Sequence, residues 1–129
     1  MNLDPLDAVR AYYGALDAGA YDRLADLLAP GFVQRRPDRT FEGRAAFVRF
    51  MRDERPRTDT THAVDALYRR ADDRDGDADA ITDPGAGAEV AEVAARGRLL
   101  AADGTELVGF VDAFAVADGT LRSLDTYTA

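Results

Sequence analysis

The sequence predicts an α+β domain in which three N-terminal helices lie on one side of a curved antiparallel sheet. Three observations predict it. The first 55 residues or so carry apolar side chains at three- and four-residue spacing, the period of an amphipathic helix. The last 40 or so alternate apolar and polar residues, and two Asp-Gly pairs, Asp103-Gly104 and Asp118-Gly119, stand where antiparallel strands would turn. The chain is 129 residues long with 47% hydrophobic content, enough for one domain, residues 1–129, with a core of its own.

In chain order, Asp4-Pro5 is a helix start, an acid at the N-cap followed by proline at the first helical position. Leu6, Val9, Tyr13, Leu16 and Ala20 make its apolar stripe, and Gly19 ends it. Tyr12 and Tyr13 are adjacent, so one is expected to pack in the core and the other to reach elsewhere. A second short helix is expected over 21–28, with Leu24, Leu27 and Leu28 inward and Pro30-Gly31 as its stop. A short strand follows over 32–36, then a basic turn of Arg35, Arg36 and Arg39 around Pro37. Those arginines could guide an anionic ligand or, the stronger reading, pair with the surplus acids. A third helix starts near Gly43, carries Phe47, Phe50 and Met51 on one face, and ends before Pro56.

Residues 60–69 alternate loosely and place His62, the one histidine, on a face with Val64, Ala66 and Tyr68. Residues 71–87 are rich in Asp, Gly and Ala and read as an acidic surface loop. The alternating Asp73, Asp75, Asp77 and Asp79 hint at a calcium loop, but the bidentate Glu and the glycine placement of such loops are absent. A strand over 89–100 turns at Asp103-Gly104 into a hairpin over 107–127, LVGFVDAFAVADGTLRSLDTY. Alternation sets Val108, Phe110, Asp112, Phe114 and Val116 on one face. An acid within an apolar, core-facing row must be neutral, paired or in use, because burying a bare carboxylate costs several kcal/mol. Asp112 is therefore the leading candidate for a functional residue.

Charge and composition exclude several classes. The net charge is −8, all 16 basic residues are Arg, and 19 of the 24 acids are Asp. Such a surface does not suit nucleic acid or an anionic membrane. The bias fits a GC-rich genome or, the favoured reading, a salt-rich cytoplasm in which surface charge is screened. Without cysteine there is no disulfide, thiolate nucleophile or Cys-ligated metal; no metal or cofactor is expected. No apolar run approaches a membrane span, and the acidic start MNLDPLDAVR reads as a helix and not as a signal or transit peptide, so a cytoplasmic location is expected.

The segments AVRAYYGALDAGAYDRLADLLAPGFV, FEGRAAFVRFM and FVDAFAVADGTLRSLDTY together resemble the nuclear transport factor 2-like superfamily, which includes SnoaL-like polyketide cyclases, ketosteroid isomerases and limonene epoxide hydrolases. The resemblance spans the chain apart from the acidic loop. It implies a cone-shaped barrel, a sheet wrapped around a long helix, with an apolar pocket for a small hydrophobic molecule and commonly a homodimer. It implies no single function. Tyr13, Phe32, Phe47, Phe110 and Phe114 are the expected pocket walls.

Site residues carry over in part. Asp112 falls where ketosteroid isomerases hold a protonated acid that donates to the developing enolate, and Tyr12, ahead of Asp17, is similar to the partner tyrosine. Arg35 stands where that mechanism needs its base, and arginine cannot take a proton. By resemblance to the epoxide hydrolases, Asp125 before Tyr127 is a further candidate, though the Arg–x–Asp of the neighbouring strand is here Arg96-Gly97-Arg98. The residues alone give Asp125 a structural partner in Arg96 or Arg98. The cyclase comparison asks for one carboxyl in an apolar cavity with a histidine nearby, which Asp112 and His62 could supply. Two functions stay open: an isomerase- or cyclase-like enzyme with Asp112 as acid–base and His62 or Tyr12 assisting, and a non-catalytic ligand-binding or dimerisation module in which Asp112 is structural.

Overall fold

The computed structural model describes residues 3–71 and 90–129. The acidic stretch expected as a loop, with its four alternating aspartates, lies outside the described residues beyond Ala71. Helix α1 spans Pro5–Ala18 and has the caps its sequence calls for. The Asp4 carboxylate accepts the Leu6 N–H at 3.0 Å, and Gly19 takes the left-handed conformation (φ 70°) that closes the last turn. Its buried face is wider than one stripe: Ala8, Val9, Tyr12, Tyr13, Ala15 and Leu16 all face inward, while Ala20 is exposed.

Helix α2 (Tyr21–Asp26) is shorter than expected, because Leu28 already belongs to strand β1 (Leu28–Arg35). Pro30-Gly31 does not stop a helix; it lies within β1, where the pairing to the neighbouring strand shifts register. A bulge is where a sheet tolerates a residue that cannot donate a hydrogen bond. Strand β2 (Thr40–Glu42) returns antiparallel to β1 and leads into α3 (Arg44–Arg49). The third helix ends in a π-helical turn, Phe50–Glu54, whose widened backbone lets the Arg55 N–H reach the Phe50 carbonyl at 2.9 Å.

Strands β3 (Thr61–Arg69), β4 (Ala91–Leu100), β5 (Glu106–Ala117) and β6 (Thr120–Thr128) form the expected antiparallel meander. The β5–β6 turn has Asp118 (φ 56°) and Gly119 (φ 75°) both left-handed, the pairing that matches strand twist in a two-residue hairpin. The whole sheet has the order β2-β1-β6-β5-β4-β3. It is mixed, because β1 lies parallel to β6. It is curved but open, with β2 and β3 as its edges among the described residues, and so does not close into the barrel the resemblance implied.

The concave face carries the core. Fully buried Phe32, Phe47, Phe114, Leu24, Leu28, Leu121 and Leu124 join the inner face of α1. On β3 a bulge between Val64 and Ala66 flips the later side chains. Hence Leu67 packs on the core, and Tyr68 does not share the inward face of His62 but is 52% exposed. Gly97 on β4 is dictated by space: a Cβ there would collide with the Ala63 carbonyl and come 2.9 Å from the Phe110 ring.

Candidate active site

Beside the packed aromatic core, a cavity of about 460 Å³ opens on the concave face. Its floor is set by pairing. Ala95 on β4, Asp112 on β5 and Thr126 on β6 lie side by side and face the same way. Asp112 is only 5% exposed and both of its oxygens accept hydrogen bonds, Oδ2 from the Tyr13 hydroxyl at 2.6 Å and Oδ1 from the Thr126 hydroxyl at 2.7 Å. Thr126 in turn accepts from Gln34 Nε2 at 3.0 Å. Gln34 is buried, and its Oε1 has no partner among the described residues.

Burial dominates the electrostatics of Asp112 and raises its proton affinity above the ordinary carboxylic range. The bonds from Tyr13 and Thr126, and then the neighbouring His62 and Arg36, oppose that rise without cancelling it. Burial first, then the Asp112 charge, pushes the Tyr13 phenol well above its ordinary value, so Tyr13 stays a hydrogen donor. Asp112 is thus a carboxyl that binds its proton more tightly than an exposed one does.

The partner of Asp112 is Tyr13 and not Tyr12. Both tyrosines are buried, correcting the expectation that one would reach elsewhere. Tyr12 lines the cavity, its ring edge-on to Tyr13 and Phe114 at 5.1 and 5.4 Å, and its hydroxyl has no hydrogen-bond partner among the described residues. Burial lifts its pKa too. His62 also lines the cavity, but it is held by Asp17 at the end of α1. Asp17 Oδ1 lies 2.6 Å from His62 Nδ1, and Oδ2 accepts the His62 backbone N–H at 2.9 Å. That double contact fixes the ring and leaves Nε2 without a partner among the described residues.

Asp125 is not brought to the cavity. Counting back from the two-residue turn would set Asp125 opposite Asp112, but a register shift between Ala115 and Val116 leaves Arg122 as an extra residue on β6. Thr126 therefore opposes Asp112, and Asp125 turns to the convex face, where it pairs with Arg35 at 2.9 Å. Neither Arg96 nor Arg98 is its partner; Arg98 makes a two-pronged contact with Asp65 instead. Arg35 does not occupy the place of a base either, since the inward residues of its segment are Gln34 and Arg36. Of the expected pocket walls only Phe110 lines the cavity. Tyr13, Phe32, Phe47 and Phe114 form the packed core behind it, and Phe50 and Met51 face the opening instead.

Sequence reading missed Gln34, Thr126 and the hold of Asp17 on His62, whereas Arg36, read in a basic turn, lines the cavity and also pairs with Asp38 at 3.2 Å. Thr126 was hidden by the Arg122 bulge, and Asp17 by the 45 residues that separate it from His62. Among the described residues no cluster of three or more His, Cys, Asp or Glu could hold a metal ion, and no helix is long and apolar enough to cross a membrane.

The pattern of the SnoaL-like domain matches residues 9–124. The chain belongs to the SnoaL-like domain family. No curated protein matches its sequence. Solved structures share the SnoaL-like fold at low identity. An NTF2-like protein of Cytophaga hutchinsonii is 13% identical over 100% of this chain and 93% of its own, with a TM-score of 0.70. A candidate polyketide cyclase of Sinorhizobium meliloti is 16% identical, covers 94% of each chain and scores 0.69. The orange carotenoid protein of Anabaena (Nostoc) sp. PCC 7120, which binds canthaxanthin, is 16% identical over 92% of this chain and 35% of its own, at 0.70. At these identities the likeness extends to the fold alone.

Proposed function

We propose that this SnoaL-like protein is an isomerase- or cyclase-like enzyme that moves a proton on a small, apolar, oxygen-bearing molecule, with Asp112 as the acid–base group. The observation that carries this reading is a buried carboxyl of raised proton affinity facing a cavity of about 460 Å³, a volume suited to a small organic ligand. In the reaction Asp112 gives its proton to a substrate oxygen as an enol forms and takes it back as the enol collapses. His62, oriented by Asp17, receives the carbon-bound proton at Nε2. In this reading the Tyr12 hydroxyl, which lines the cavity, would hydrogen-bond the substrate, and Gln34 Oε1, without a partner among the described residues, would accept from a substrate hydroxyl. The neighbouring polyketide cyclase candidate supports the reaction class by analogy.

The test is exchange of the α-protons of 2-tetralone in deuterated buffer, followed by proton NMR. The protein should accelerate exchange over buffer, and Asp112→Asn should remove about 10²–10⁴ of that acceleration, the range of general acid–base help. Equal rates for wild type and Asp112→Asn would overturn the assignment.

One observation favours a second reading, a non-catalytic binding module: both Asp112 oxygens already have protein donors, as a purely structural acid would. On that reading Asp112→Asn lowers stability and changes no reaction. Either function is proposed for a cytoplasmic homodimer that meets across the convex face, where Tyr68, Val111 and Tyr127 are 52%, 39% and 60% exposed. Val111→Glu should then shift the sedimentation coefficient to that of a monomer.

A further inference from the structure

The rim of the cavity differs in sign from the protein around it. Arg36 lies at the β1–β2 turn, and Arg55 and Arg57 flank Pro56 in the segment before β3; all three line the opening. Against them the lining holds two acids, Asp38 at the rim and Asp112 at the floor. In a chain of net charge −8, the cavity is thus bounded by a surplus of positive charge. Two of the three cations have exposed acids beside them: Arg57 lies 3.7 Å from Asp59 and also acts on Asp103, and Arg36 meets Asp38 at 3.2 Å with that Asp 63% exposed. Arg55 has no carboxylate partner among the described residues. Its guanidinium is steered by neutral oxygens, the Met51 and Leu16 carbonyls and the Tyr21 hydroxyl. These contacts hold the cation in place without cancelling its charge.

The lining also holds an apolar set, Leu99, Leu107 and Val108. From these placements we infer that the ligand is an amphiphilic organic anion: an apolar body against Leu99 and Val108, and a carboxylate-type head at Arg36, Arg55 and Arg57. The inference rests on the cavity being a ligand site and names the class of molecule the proposed chemistry would act on. A planar anionic head suits guanidinium groups, which can donate two parallel N–H bonds to it.

Two dyes of nearly one shape test this on the whole chain. 8-Anilino-1-naphthalenesulfonate carries an anionic head; N-phenyl-1-naphthylamine lacks it. In fluorescence titrations the anionic dye should bind about tenfold tighter, and added salt should weaken it selectively. Arg36→Gln and Arg57→Gln should each weaken the anionic dye about two- to fivefold, the range of an exposed ion pair, and leave the neutral dye unchanged. Asp38→Asn should act in the opposite direction, tightening the anionic dye only. Arg55→Lys, which keeps the charge, should hold the dye preference even if it lowers stability. Amide shifts caused by the anionic dye should fall on Thr60, His62, Phe110 and Thr126. Equal affinity for both dyes, arginine variants without effect, or shifts confined to the convex face would each overturn the inference. Asp112→Asn separates it from the acid–base reading, because that variant should keep the dye preference whether or not it loses proton exchange.

Discussion

Asp112 and Asp125 stand on neighbouring strands of one sheet, yet their surroundings are opposed. Asp112 faces the concave side, is buried, and takes its hydrogen bonds from neutral hydroxyls, so desolvation raises its proton affinity. Asp125 faces the convex side and is half-exposed against Arg35. On the same convex face Asp65 is held below the ordinary carboxylate range by its hydrogen bonds with Arg98. The convex acids are solvated charges in a strongly acidic chain. The difference between them and Asp112 comes from the face, and the face comes from the extra residue at Arg122. Chemistry in this fold is therefore assigned by register before it is assigned by residue type.

The contrast can be broken outright. Inserting one alanine between Ser123 and Leu124 should slip the later part of β6 by one residue, turning buried Leu124 outward and setting Asp125 against Asp112. A loss of more than about 4 kcal/mol is expected, read as loss of the cooperative transition in urea. A β6 that keeps its stability would show that the register is not what selects the acid.

Next in size is a comparison of two apolar residues on β5. Phe114→Ala removes a fully buried ring from the concave face and should lower stability by about 3–5 kcal/mol. Val111→Ala, three residues earlier and 39% exposed on the other face, should change it by about 0.5 kcal/mol or less in the monomer. Similar urea midpoints for the two variants would contradict the division of faces.

A smaller effect sharpens the polar side. Thr126→Val takes a donor from Asp112 and the acceptor from Gln34, and should cost about 1–3 kcal/mol. It should also raise the Asp112 proton affinity further, visible in the titration of its side-chain carboxyl carbon by NMR. Asp125→Asn, which breaks an exposed pair, should cost less than about 1 kcal/mol and leave that titration in place.

The pH dependence distinguishes the faces by sign. Asp112 binds its proton more tightly folded than unfolded, so its contribution to stability declines as pH rises from the ordinary carboxylic range through its raised value. Asp65 binds its proton less tightly folded, so its contribution is present above the ordinary range and fades on acidification. Urea midpoints of wild type and Asp112→Asn, compared at about pH 4 and about pH 7, should diverge in favour of Asn as pH rises. A gap independent of pH would mean that Asp112 does not titrate in that window.

Local signals carried much of this architecture into the sequence. Asp4-Pro5 and Gly19 bound α1, and Asp118-Gly119 made the closing hairpin, because caps and tight turns depend on a few adjacent residues. Alternation along β5 placed Asp112 inward among Phe110, Phe114 and Val116, as found. What escaped was set by irregularities and distance. The β3 bulge turned Tyr68 away, the Arg122 bulge exchanged Asp125 for Thr126, and Pro30-Gly31 sat in a strand instead of ending a helix. Choosing Tyr13 over Tyr12 as the partner of Asp112 needs the rotation of α1 on the sheet, which helical spacing leaves open when both neighbours are buried.

The parallel contact between β1 and β6 has a consequence in time. Gln34 and Thr126 are 92 residues apart, and β6 lies between β1 and β5 in the sheet. The hairpin strands can assemble early through short loops, but β1 has no sheet to join until β6 is in place. Since Gln34 and Arg36 arrive with β1, the cavity comes into being only as this distant closure is made. An intermediate with the meander formed and β1 undocked would have Asp112 on its strand without a finished chamber around it. Its late conversion would be the step at which the protein becomes able to bind.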